Sequence, residues 1–173
     1  MHTKTTVTAD PADAWPRARA LRAIAVGGLS AGALDISAAF LVYGLRGASP
    51  MRILQSVASG VYGAPAFQGG ARTAALGLLL HFFIAATAAA VYFVASTRAG
   101  VLVRRPFVCG ALYGIAVYLF MNRVVLPLSA VAKRPFSPRD AAILVVIHMT
   151  CVGIPIALAA RRYAGATGNA GAA

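Results

Sequence analysis

Residues 51–70 read MRILQSVASGVYGAPAFQGG, and how this stretch is read decides how often the chain crosses a bilayer. Four glycines and one proline interrupt it. No apolar run inside it approaches the roughly 20 residues that a spanning helix needs. It is nonetheless too oily for an ordinary loop. Ser49 and Pro50 supply an N-cap and a first-turn proline, and Ile53, Leu54, Val57 and Val61 then recur at helical spacing. Arg52, Gln55, Ser56 and Ser59 lie elsewhere around the turn. The pattern predicts a short amphipathic helix within a cap segment over residues 49–70. Two arrangements stay open: a helix resting on the headgroups, or a re-entrant lid over a cavity with GAPAFQGG (63–70) as its non-helical part.

On either side of the cap the sequence is oilier still. The chain has 173 residues, 60% hydrophobic and 12% charged, with a mean hydropathy of +0.76. Soluble domains average about 45–50% apolar and about 25% charged, so too little polar material is present to coat a soluble fold. Four apolar runs, at about 23–43, 73–96, 106–128 and 138–160, each match one membrane crossing. Pro106 and the Ser137–Pro138 pair mark helix starts. The fold class expected is all-α: a polytopic membrane protein of four transmembrane helices over residues 21–162, with the cap helix between the first two. Residues 1–20 read as a disordered tail and 163–173 as a flexible one. The AGA at 31–33 imitates a signal-peptide cleavage site, but the run continues to Tyr43, so the first run reads as a retained span.

The net charge of +12 does not point to nucleic acid. The basic residues bracket the apolar runs, as in Arg17/Arg19/Arg22, Arg104/Arg105 and Arg161/Arg162, where they set topology and meet anionic lipid headgroups. The bilayer is the expected partner. With the N-terminus inside, nine basic residues flank the inner face and six the outer, which favours both termini in the cytoplasm. The dominance of Arg over Lys, with abundant Ala and Gly, fits a GC-rich bacterial genome and hence a bacterial inner membrane. Tyr43, Tyr62, Tyr92 and Tyr163 fall near the expected interfaces, where aromatic belts form.

Polar and ionisable residues inside these runs stand out because such groups at bilayer depth are costly and face the bundle interior. They are Asp35 in GALDISAAF, His81 in LLLHFFIA, Asn122 and Arg123 in LFMNRVVLPL, and His148 in LVVIHMTC. A rise of about 1.5 Å per residue across a core of about 30 Å puts Asp35 and His81 about 18 Å from the inner edge and His148 about 15 Å. Arg123 comes out at about 25 Å, close enough to the outer surface to snorkel, to hold carbonyls of the cap, or to reach Asp35. A histidine is the better-levelled partner for Asp35. Three readings of Asp35/His81/His148 stay open: interhelical hydrogen bonding, a proton or ion path, and a bis-histidine haem site. Cys151 shares the His148 face as a soft ligand, whereas Cys109 and Cys151 otherwise read as small buried hydrophobes. No committed cofactor or metal follows.

GLSAG (28–32), GALYG (110–114) and AATAAA (85–90) are small-residue patches that let helices approach closely, within one bundle or across a homo-oligomer. No Walker loop, Rossmann fingerprint, nucleophile elbow or zincin pattern is present. The expectation is therefore a non-enzymatic protein, structural or accessory to transport or stress response, with a proton-coupled carrier as the alternative. The motifs GGLSAG, HFFIA leading to VYFVA, GALYG, LPL, and His148 ahead of Arg161–Arg162 resemble the small uncharacterised four-helix bacterial inner-membrane proteins of the YagU-like type, over residues 27–162. That resemblance implies inner-membrane location and four helices, and no activity. The Gly- and Ala-rich cap departs from it.

Overall fold

The computed structural model describes residues 11–132 and 137–164. Among them the elements are helical throughout: α1 (Pro11–Gly44), α2 (Pro50–Tyr62), α3 (Gly70–Arg98), the short α4 (Val101–Arg104), α5 (Pro106–Leu128) and α6 (Pro138–Tyr163). A 3-10 turn at Ala64–Gln68 joins α2 to α3. Four of these helices, α1 from Arg17 onward, α3, α5 and α6, are long and apolar enough to cross a membrane. The chain is an all-α polytopic membrane protein.

Two ends differ from the sequence reading. Helix α1 begins at Pro11, inside the segment expected to be a disordered tail. Residues 1–10 and 165–173 of the expected tails, and Lys133 and Arg134 of the last connection, lie outside the described residues.

Lipid offers helices no hydrophobic reason to associate, so the bundle closes where small side chains let backbones touch. Both GxxxG patches serve this purpose within one chain. A Cβ at Gly28 would stand 2.8 Å from the Ala86 Cα of α3, and one at Gly110 would stand 2.9 Å from the Gly153 carbonyl oxygen of α6. Gly114 and Gly153 are tighter still, with their neighbours' backbone inside the space a Cβ would take. The resulting core joins Ala31, Ala89, Tyr92, Val152, Ile156, Ala157 and Ala160 from α1, α3 and α6. Tyr92 corrects the aromatic-belt expectation. It is only 1% exposed, and its hydroxyl donates to the Leu102 carbonyl at 3.0 Å, pinning α4 beneath the bundle.

Helix α2 lies on α3 rather than floating free. Ser49 caps it, accepting from Arg52 N–H at 3.3 Å. Gly63 ends it at φ 64°, a left-handed backbone that favours glycine, with its N–H bonded to Ser59 O at 2.8 Å. The absent Cβ of Gly77 lets the Leu54 carbonyl settle directly on α3. The buried face is not the apolar stripe the spacing suggested: Gln55 and Ser59 are buried beside Ile53 and Ala58, while Val61 is exposed. The reason is hydrogen bonding. Gln55 Nε2 donates to Gly70 O at 3.1 Å and lies 3.4 Å from Thr73 Oγ1. Thr73 Oγ1 in turn donates to Ala66 O at 2.7 Å. The polar side chains clamp the cap to the head of α3, and Arg52 lies over the Phe67 ring at 4.8 Å on its outer side.

Two spans contain a π turn, at Met121–Val125 in α5 and His148–Gly153 in α6. Such widened turns rotate the side chains that follow them and recur at functional sites.

Candidate functional site

Beneath α2, at the capped end of the bundle, the helices partly enclose a cavity of about 260 Å³. Its walls bring together Asp35 of α1, His81 of α3, Asn122 of α5 and His148 of α6. Three of these are the residues whose depths coincide in the sequence. Ile53, Ser56 and Val57 of α2 line one side of it, so the helical part of the cap borders a cavity, whereas residues 63–70, partly a 3-10 turn, do not. Both π turns border this space, through Met121 and Asn122 on one wall and His148 on the other.

Each polar wall residue has a distinct bonding state. His81 Nε2–H donates to Gly32 O of α1 at 2.8 Å, leaving Nδ1 free. His148 Nδ1–H donates to Leu144 O, one turn back, at 2.8 Å, leaving Nε2 free. Its ring meets that of Tyr118 edge-on, centroids 5.5 Å apart. Asn122 Nδ2 donates to Tyr118 O at 2.9 Å, leaving its carbonyl oxygen available. Among the described residues Asp35 makes no ion pair; the one ion pair there joins Arg46 to Asp140 at 2.7 Å. Among the described residues the cavity is lined by no Lys or Arg, and Asp35 is the only acid there. A carboxyl group at bilayer depth needs a proton, a cation or water beside it.

Arg123 does not belong to this group. It is exposed and absent from the cavity wall, and it makes no pair with Asp35. Asn122 continues the buried face of Gly110, Gly114 and Tyr118 at four-residue steps, and Arg123, one residue on, lies outside the bundle.

Nor do the donors suit a metal centre. No three His, Cys, Asp or Glu groups among the described residues converge to ligand geometry. Cys151 lies past the start of the α6 π turn and does not reach the cavity wall. A space of about 260 Å³, below the roughly 300–1,000 Å³ typical of drug-sized ligands, accommodates waters or a small group rather than a macrocycle.

The sequence reading missed Tyr43, Ser56 and Tyr118, which also line the space. Tyr43 was legible as a neighbour: it follows Asp35 by eight residues, two turns along the same face of α1. Ser56 was not, because nothing local says that a helix outside the four spans turns back over the bundle.

The fold and site thus define a four-span membrane protein with a partly open, mostly apolar cavity between its helices, into whose wall Asp35, His81, Asn122 and His148 are set. Comparison with family models, curated proteins and solved structures gives no match, so the YagU-like resemblance rests on its motifs alone.

Proposed function

We propose that the protein is a small proton-coupled carrier of the bacterial inner membrane, with the cavity beneath α2 as its site and no catalytic chemistry of its own. The observation that carries this reading is Asp35: a carboxyl in the membrane-spanning region, lining a cavity, without a basic partner among the described residues. Such a group exchanges a proton for a cation, and two histidines, each with one ring nitrogen not bonded among the described residues, line the same cavity to relay the proton. The excess of basic residues flanking the face with the termini supports a cytoplasmic N- and C-terminus.

The test is proton movement in proteoliposomes, read with a trapped pH-sensitive dye under an imposed pH gradient. Wild type dissipates the gradient faster than empty liposomes, and Asp35→Asn, still monodisperse in detergent, does not. Equal rates in both proteins would overturn the carrier reading.

A second reading has its own support. Both histidines are bonded to backbone carbonyls, His81 across two helices, as in a purely structural or accessory bundle. It predicts that Asp35→Asn and His148→Ala change thermal stability and leave the proton rate at the liposome background.

A further inference from the structure

A second cavity adjoins the first. Helix α1 packs on the π turn and the Ile154–Ala164 half of α6 but barely on Pro138–Ile147. The two helices therefore part toward the capped end. Between them lies a wholly apolar groove of about 470 Å³, walled by Ala38, Leu41 and Val42 of α1 and by Ala142, Ile143 and Val146 of α6. Ile147 lines this groove and the first cavity alike. On α1 the two linings interleave, with Asp35 and Ala39 facing the cavity and Ala38 and Val42 the groove. At this end the Arg46–Asp140 pair ties the loop after α1 to the first turn of α6.

From this adjacency we propose that the substrate is an amphiphilic cation, a lipophilic amine or quaternary ammonium, whose charged head sits in the cavity against Asp35 and whose apolar tail passes Ile147 into the α1/α6 groove. The charge follows from the wall: among the described residues Asp35 is its only acid, and none of the described lining residues is a Lys or Arg. Tyr43 and Tyr118 also line the space, the Tyr43 ring with the Arg46 guanidinium 5.7 Å from its centroid and the Tyr118 ring edge-on to His148. The tail follows from the groove, which has no polar lining to reward a hydrophilic solute. A head alone leaves the groove to lipid; a tail alone leaves Asp35 without a counter-charge. The joint site also explains the size of the first cavity, which suits a head group rather than a whole drug-sized molecule.

This inference rests on the carrier reading, and its test separates the two. Radiolabelled tetramethylammonium and hexyltrimethylammonium are bound to wild type, Asp35→Asn, Ala142→Phe and Ala38→Phe in lipid nanodiscs. Alongside, proton flux is measured in liposomes. Wild type binds both cations, and Asp35→Asn weakens both at least about tenfold. Either groove-filling variant weakens hexyltrimethylammonium by about tenfold, roughly what burying two methylenes is worth, and leaves tetramethylammonium unchanged. Comparing two cations on one variant makes the shorter one the control for folding.

If both groove variants weaken both cations equally, or neither, the groove holds no tail and the inference fails while the carrier reading stands. If neither cation binds wild type but Asp35-dependent proton flux persists, the substrate class is wrong and the carrier reading again survives. If cation binding and proton flux are both absent, the carrier reading itself falls.

Discussion

His81 on α3 reaches across to α1 and donates from Nε2 to the carbonyl oxygen of Gly32 at 2.8 Å. Gly32 meets that ring because it has no side chain: a Cβ there would stand 2.6 Å from Cδ1 of Phe82, the residue after the histidine. One small residue thus admits both an aromatic ring and an interhelical hydrogen bond next to the cavity. In membrane bundles such bonds average about 0.6 kcal/mol, with a maximum of about 1.7. His81→Ala should therefore lower stability in detergent by on the order of 1 kcal/mol. His81→Gln keeps an N–H donor at similar reach and should recover most of that loss. If the carrier reading holds, it should not recover proton flux, because an amide does not titrate. Thermal unfolding and the liposome assay read the two effects separately.

Gly114 and Gly44 give an opposed pair. The His148 carbonyl occupies the space a Cβ at Gly114 would need, and nothing lies within 4 Å of one at Gly44. Gly114→Val should cost at least about 1–3 kcal/mol, the range for overpacked cores, or prevent assembly outright. Gly44→Ala should stay within about 0.5 kcal/mol of wild type. Denaturant titration in mixed micelles measures both.

Gln55 holds the cap segment. Its amide reaches Gly70 O and Thr73 Oγ1 from a buried position. Gln55→Leu fits an apolar wall but leaves the Thr73 and Gly70 groups without that donor. Losing a hydrogen bond worth about 1–1.5 kcal/mol should raise amide exchange across residues 50–70 by about tenfold. Exchange elsewhere in the bundle should be unchanged. Hydrogen–deuterium exchange with mass spectrometry resolves the segment.

Arg46 and Asp140 are both partly exposed, so their 2.7 Å bridge is a weak fastener. The hydrogen bond to Asp140 raises the Arg46 guanidinium above its ordinary value, and the pair stays charged near neutral pH. A double-mutant cycle with Arg46→Ala and Asp140→Ala should give a coupling of about 1 kcal/mol or less. The coupling should shrink as salt rises from 0.05 to about 0.5 M, because exposed charges are screened.

The four spans were legible in the sequence because length and apolarity suffice to define them, and Pro106 and Ser137–Pro138 even fixed two starts. The level of Asp35, His81 and His148 was also legible, because a helix converts residue count into depth. Azimuth was not. The widened turns at 121–125 and 148–153 shift the residues beyond them off the 3.6-residue count, and nothing in that count announces them. The buried polar face of α2 was hidden for a different reason. Gln55 and Ser59 look like surface residues until α3 supplies Gly70, Thr73 and the bare backbone of Gly77. Hydrophobic spacing alone assigns that face to the wrong side. The apolar groove was invisible too, since it arises from the parting of α1 and α6 and not from any local motif.

The central claim is that Asp35 faces the cavity inside the bundle, while its neighbour Leu34, 47% exposed, faces lipid. The most direct test labels single cysteines with a small, water-soluble cationic thiosulfonate. The background carries Cys109→Ala and Cys151→Ala, and the protein is reconstituted in nanodiscs. The account predicts that the Asp35→Cys variant reacts readily and the Leu34→Cys variant hardly at all. Equal inertness at both positions, or faster reaction at 34, would contradict it.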